Sequence, residues 1–274
     1  MKFFQLLFFL CLAFNWLFSQ NTENNIKLLV PKDSISFYSF NKESVTEYTI
    51  LESKKLSKTS LRYTGSFPEE LKNADLRSLS FLFSKDGGVY FLYPGGGILF
   101  KYFNGVFERI DEIFAYRNQF CGHFFEYKNE LYLLGGYGYW ASNSLLTKFN
   151  FELKNWEFIP TSGQVPANGI NSGSFVLDEN TLSVFDFKQR IDDLDVINNS
   201  LYSLNLEEMV WERKGLLNTV LFEGNKNVFE IEIPFKNSLF QKNLSSNDLK
   251  ITTPKENQIK FFNAERLHNI NELA

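Results

Sequence analysis

The stretch Gly122-His123-Phe124-Phe125-Glu126-Tyr127-Lys128-Asn129-Glu130-Leu131-Tyr132-Leu133-Leu134-Gly135-Gly136, with Trp156 twenty residues beyond it, decides the fold of this chain. It reads as one strand, a tight turn, a buried strand that stops on a glycine pair, and an aromatic that closes the unit. Aromatic residues make up 17% of the sequence, 31 of them Phe. Together with short runs of Val, Ile and Thr they favour strands over helices. Weaker copies of the same stretch flank it on both sides, which says more about architecture than about activity.

Working outward, the buried strand Leu131-Tyr132-Leu133-Leu134 has counterparts beginning at Val89, Leu182 and Val228, and a more degenerate one at Ile35. The spacing is about fifty residues. A second ruler runs in phase with the first. Phe149 precedes Trp156 by seven residues, Leu204 precedes Trp211 by seven, and Phe100 precedes Phe107 by seven. Each pair reads as a third strand, a hairpin turn and a fourth strand opening on a large aromatic. Asn104-Gly105 carries the strongest two-residue hairpin chemistry. Small four-stranded sheets of this kind cannot bury both faces alone, so several must stack, with the large aromatic filling the gap between neighbours.

The unit from Arg117 to Pro160 resembles the kelch repeat. Arg117 and His123 fall where kelch units often carry Arg and His, Gly135-Gly136 is the glycine doublet, Phe149 replaces the usual Tyr, and Trp156 closes the unit. The resemblance runs over roughly residues 75–215 and fades outward. There are departures: Asp186-Phe187 stands in place of the doublet after Leu182, Tyr93-Pro94 precedes a shifted Gly95-Gly96-Gly97, and Phe107 replaces Trp. The resemblance implies an all-β, kelch-type β-propeller that is small, incomplete or open, with about four to five blade units. The repeats are expected over residues 21–254 and a polar C-terminal tail, helical or frayed, over 255–274. The polar segment from Gln20 to about Lys58 is expected to supply a closing outer strand.

Residues 1–20 read as a secretory signal peptide: Met1-Lys2, an apolar run from Phe3 to Phe18, then Ser19-Gln20. The run is shorter than the ~20 apolar residues of a spanning helix, and no later run is long enough, so no membrane span is expected after cleavage. The expected destination is the periplasm, cell surface or extracellular medium. Cys11 leaves with the signal and Cys121 stands alone, read as a buried thiol in a strand, so no internal disulfide can form. Net charge is −4 and the pI is near 5.4. With no basic stripe, nucleic acid is not an expected partner.

Only two histidines, His123 and His268, are present, so no three-His or His/Cys metal set can be assembled and no metal or other cofactor is expected. The copper oxidases of the kelch family, which the resemblance brings to mind, need ligands this chain lacks. His123 is read as a repeat-position residue hydrogen-bonded to a neighbouring strand, grouped with Gly135, Gly136, Phe149, Trp156, Trp211 and Phe107 as structural positions. Gly95–Gly97 lacks the Lys-Ser/Thr and following helix of a phosphate cradle and reads as a blade turn. No Gly-x-Ser-x-Gly elbow is present.

Two patches are candidates for recognition. Tyr137, Tyr139 and Trp140 follow the glycine doublet in a loop where aromatics can stack on a sugar or anchor a protein. Asp192, Asp193 and Asp195 lie in the long loop between the second and third strands of the Leu182 unit. They read as a solvated acidic loop, with calcium as the alternative, although the Gly and Glu of an EF-hand are missing. The function expected is an exported, non-catalytic recognition module for a protein or glycan. Two alternatives stand beside it. One is a carbohydrate-active propeller enzyme of epimerase or mutarotase type, with Arg117, His123 and Glu126 as local candidates. The other is the sensor half of a longer membrane receptor.

Overall fold

The computed structural model describes residues 28–32, 36–51, 56–93, 97–112, 119–192, 194–220, 231–235, 238–242 and 248–263. Strands dominate. The first sheet is β1 (Leu28–Pro31), β2 (Ser36–Phe40), β3 (Ser44–Ile50) and β4 (Leu56–Arg62); the second is β5 (Ser80–Phe83), β6 (Val89–Leu92), β7 (Leu99–Phe103) and β8 (Val106–Arg109). The third opens with β9 (His123–Tyr127) and β10 (Glu130–Leu134). A small hairpin of β11 (Tyr137–Gly138) and β12 (Ala141–Ser142) follows, and β13 (Leu146–Asn150) and β14 (Asn155–Ile159) complete the sheet. After β15 (Ser162–Gly163), the fourth sheet has β16 (Ser174–Asp178) and β17 (Thr181–Phe185). A second hairpin, β18 (Phe187–Ile191) and β19 (Leu194–Asn198), precedes β20 (Ser200–Asn205) and β21 (Val210–Leu216). β22 (Asn218–Val220) leads to the fifth sheet: β23 (Ile231–Phe235), β24 (Ser238–Lys242), β25 (Asp248–Thr253) and β26 (Gln258–Asn263).

Each of the five sheets is an antiparallel meander of four strands in chain order. That is the blade of a β-propeller, and five blades in succession make the chain an all-β protein of the five-blade arrangement. Among the described residues no helix is long and apolar enough to cross a membrane.

The turns follow from residue chemistry. Asn104-Gly105 and Lys128-Asn129 both take left-handed backbone, with φ of 49°, 87°, 51° and 63°, the two-residue geometry that matches strand twist. The third, fourth and fifth blades instead close their last hairpin with four residues, ending on left-handed Lys154, Met209 and Asn257. Asn150 and Asn205 explain two of these turns. Asn150 Oδ1 accepts the Glu152 and Leu153 amides at 2.9 and 3.0 Å, and Asn205 Oδ1 accepts those of Glu207 and Glu208 at 2.9 and 3.2 Å. Such Asx turns pre-form the bend.

In the first four blades, the chain leaving the last strand latches onto the last hairpin of the next blade. Thr64 N donates to Gly105 O, Glu112 N to Lys154 O, and Ser162 N to Met209 O, at 2.8, 3.1 and 2.9 Å. β15 and β22 extend the contact by pairing in parallel with β21 and β26.

The chain forms two compact units. The first holds residues 1–117, 124–132 and 148–157. Its core joins the first two blades through Phe40, Phe91, Tyr102 and Phe107, with Leu71 and Leu76 packed in from two short 3-10 turns. Phe107 stacks on Phe91 at 5.0 Å, and Phe40 meets Phe91 edge-on at the same separation, geometries that suit the aromatic quadrupole. Trp156 is fully buried, and its indole N–H donates to Gly97 O at 2.9 Å. A polar lock lies nearby. The buried Asp111 carboxylate accepts the Leu99 amide at 2.7 Å and pairs with Arg109 at 2.8 Å, and Arg109 also reaches Glu70.

The second unit holds residues 118–123, 133–147 and 158–274. Val176, Phe185, Leu201 and Leu239 form a core cluster between the fourth and fifth blades. Gln241 Nε2 donates to Ser174 Oγ at 3.2 Å, and Lys250 Nζ reaches Asp186 at 2.6 Å.

Several expectations need correction. The described part of the Ile35 run and the runs at Val89, Leu131 and Leu182 are second strands, in β2, β6, β10 and β17. The described part of the Val228 run is the first strand of its blade, β23, and the second is β24. β23 alternates, Ile-Glu-Ile-Pro-Phe, while β24 sets Leu239 and Phe240 side by side, and no glycine pair marks which is the second strand. The segment before Lys58 provides almost the whole first blade rather than one closing strand. The polar stretch after Pro254 is not a tail throughout: Pro254–Asn257 turns the chain and Gln258–Asn263 is the last strand of the fifth blade. Edge strands with one wet face read as polar. The leader assigned to residues 1–20, and residues 264–274, lie outside the described residues.

Candidate functional site

The site is built around the glycine doublet. Gly135 N donates to Leu145 O at 2.8 Å and Gly136 N to Ile170 O at 2.6 Å. Both glycines have positive φ, 69° and 111°, and a Cβ on Gly136 would sit 2.5 Å from Gln119 Cα. A Cβ on Gly135 would strike the Ile170 carbonyl. Only glycine lets these three backbone segments converge. Gln119 clamps the junction. Its amide donates to Leu133 O and Leu145 O at 3.1 and 3.0 Å, and its oxygen accepts Thr147 Oγ at 2.9 Å. Sequence reasoning missed Gln119, because a single glutamine ahead of a strand carries no pattern.

From this junction rises the β11/β12 hairpin, tied by reciprocal Phe120–Tyr137 backbone bonds of 3.0 and 2.9 Å. Its two-residue turn is Tyr139-Trp140, with φ of 51° and 61°. Such turns ordinarily carry Asn-Gly. A bulky residue in left-handed backbone costs about 1–2 kcal/mol. Both side chains are 79% exposed, so packing does not offset that strain. Tyr137 at the hairpin base is half-buried.

The acidic segment of the fourth blade is not an open loop. It is the tip of the β18/β19 hairpin, whose register runs from Phe187↔Asn198 to Ile191↔Leu194. Asp192 occupies the turn with φ 48°, and Asp193 lies outside the described residues. Asp195 pairs across the hairpin with Arg190 at 3.3 Å. The alternation Phe187-Lys188-Gln189-Arg190-Ile191 drives the strand, since Phe187 and Gln189 are buried while Lys188 is exposed. Gln189 Nε2 donates to Gly169 O and its Oε1 accepts Asn198 Nδ2, both at 3.0 Å. Gly169 itself lies against Ser142, where a Cβ would clash with backbone.

β12 and β18 are therefore neighbours, and the two patches named from sequence lie on adjacent hairpins. Beside Tyr139 and Trp140 the second hairpin exposes Leu194 (67%), Ile197 (60%) and Val196 (42%). Sequence reasoning missed these aliphatics, which sit among acidic and polar residues and look like an ordinary loop.

The structural positions divide by element. Phe107, Trp156 and Trp211 are each the second residue of the last strand of a blade, and all are buried. Trp211 Nε1 donates to Thr161 Oγ at 3.2 Å. Phe149 packs on Trp156 with ring centres 5.3 Å apart. Leu204 and Trp211 are cross-strand partners, but Phe107 lies opposite Tyr102, not Phe100, because Asn104-Gly105 makes that turn two residues shorter. Asp186 takes the doublet's place after β17 with φ 51°, a conformation Asp tolerates.

His123 is buried against Phe175, with ring centres 5.0 Å apart, and its Nε2 has no hydrogen-bond partner among the described residues. Burial lowers its pKa to about 4, opposed by a hydrogen bond to the Ser172 backbone. The unfolded chain therefore binds a proton near pH 6.5 that the folded chain refuses. Stability is expected to fall as pH drops from about 6.5 toward about 4, by up to about 3 kcal/mol. Urea titrations across that range should show His123→Gln with a flatter profile than the parent; parallel profiles would assign the slope to other groups.

Of the enzyme candidates, Glu126 lies on the same strand as His123 but three residues on, so the two point to opposite faces; Arg117 lies outside the described residues. Cys121 is exposed in a turn with φ 58°, not buried in a strand. Among the described residues no three His, Cys, Asp or Glu side chains are grouped to hold a metal ion. The chain matches no family model and no curated protein.

Proposed function

We propose that this chain is an exported, kelch-type propeller whose β11/β12 and β18/β19 hairpins recognise a protein or glycan without catalysis. The observation that carries the reading is the Tyr139-Trp140 turn. Two large aromatics stand in solvent in a backbone conformation that penalises them. Strain held at an exposed position is a mark of function, and paired rings suit both sugar stacking and protein anchoring. The kelch assignment is supported by Gly135-Gly136, Phe149 and Trp156 falling in one blade in the kelch order. Export is supported by the apolar run ahead of Ser19-Gln20, and protein secreted from expressing cells should begin near residue 20.

The test is Tyr139→Asn/Trp140→Gly. This exchange gives the turn its preferred residues and should raise stability by about 1–2 kcal/mol, read by urea unfolding. On glycan arrays and in pull-downs the same variant should lose whatever the parent captures. Unchanged capture by the more stable variant would remove the hairpin from the function.

A further inference from the structure

Resting on that reading, we propose that the outer edge of β19 takes up an extended, basic and apolar segment of a partner polypeptide as an added antiparallel strand. The hairpin register decides which amides face outward. With Ile191↔Leu194 closing a two-residue turn, the pairs 191/194, 189/196 and 187/198 exchange backbone hydrogen bonds, and Lys188 and Arg190 point theirs away from β19. The Lys188 amide and carbonyl do bond Asn171, at 2.9 Å each, which fixes that phase.

Opposite them, Asp195 and Ile197 must direct their N–H and C=O groups to the free side of β19. Among the described residues the hairpin is a two-stranded sheet with no strand beyond it. Proteins usually protect such an edge with Pro, Lys or a bulge. β19, Leu194-Asp195-Val196-Ile197-Asn198, has none of these, and the one charge within it is held by Arg190. Leu194, Val196 and Ile197 are exposed along the same strand.

The chemistry of the occupant follows. Outward amides that meet no strand among the described residues, together with aliphatic side chains, suit a polypeptide strand better than a sugar, whose stacking needs rings and whose hydroxyls need polar partners. Between Phe187 and Asn198 the sequence carries three aspartates against Lys188 and Arg190, a net negative charge, so a segment carrying Lys or Arg is complementary.

The experiment uses a capped peptide of about six residues, the usual strand length, alternating lysine with valine, and reads its binding to the whole chain by fluorescence anisotropy. N-methylating the alternate amides of the peptide that would face β19, which removes the pairing donors and keeps its side chains, should weaken binding at least about tenfold. Ile197→Pro deletes only a solvent-facing N–H on an edge strand and should weaken it similarly. The N-methyl comparison needs no variant and stands even if Ile197→Pro fails to fold. Binding that ignores both changes but falls with Trp140→Ala overturns strand addition and leaves the recognition reading intact. No binding of the lysine–valine peptide overturns the proposal, while the glycan-array and pull-down results still decide the broader reading. Self-association that Ile197→Pro abolishes and the peptide cannot displace assigns the edge to a second copy, and also overturns it.

Discussion

Trp156→Ala is expected to destabilise the chain by about 3–5 kcal/mol, because it deletes a fully buried indole and leaves a cavity that its neighbours cannot fill. The indole touches Phe124 and Phe149, and its N–H satisfies the buried Gly97 carbonyl. Trp156→Phe separates the two contributions. It keeps most of the ring but orphans the carbonyl, which should cost about 1–3 kcal/mol. The Trp211 indole bonds a half-buried hydroxyl rather than a buried carbonyl, so Trp211→Phe should cost less than Trp156→Phe. Equilibrium urea unfolding of the three variants measures all of this. A Trp156→Ala loss below about 1 kcal/mol would mean that the indole does not wedge the blades.

Gly136→Ala should rank next, with a loss of at least about 3 kcal/mol, since the positive φ costs about 1–2 kcal/mol and the clash adds to it. The new methyl meets the Gln119 backbone, which cannot rotate away as a side chain would. Gly65→Ala is the control. Gly65 has a similar φ, 102° against 111°, and nothing lies within 4 Å of its would-be Cβ. Its loss should therefore be the conformational cost alone. Equal losses at the two sites would refute the convergence of the doublet on Gln119.

The blade was legible because its residues act locally. Asn-Gly at 104–105, the Asn150 and Asn205 side chains that bend their own turns, and the aromatic at the head of the last strand in the second, third and fourth blades all announce themselves within ten residues. Of the first blade only the Ile35 run was legible, and the last strand was not. Ser44–Ile50 and Gln258–Asn263 mix polar residues among apolar ones, and such a strand is recognisable only from what it pairs with. The misplaced strand at Val228 has a related origin, because β23 alternates and β24 does not, yet which of the two is the inner strand is settled only by their partners.

For the candidate site the division is sharper. Tyr139, Trp140 and the aspartates were picked out by residue type, but their separation in sequence hid that they occupy neighbouring hairpins. The contact depends on Gly169 fitting between Ser142 and Gln189, and on Gln119 joining β10 to the start of β13. Left-handed backbone at two aromatics cannot be read from a sequence that would sooner predict Asn-Gly. Composition and spacing by themselves determined that this chain is a series of small sheets with rings between them, because side-chain period and turn chemistry are local properties. Which strand ends each blade, which hairpins share a surface and which backbone edge stays open were decided only by tertiary packing, because each depends on contacts between residues far apart in the chain.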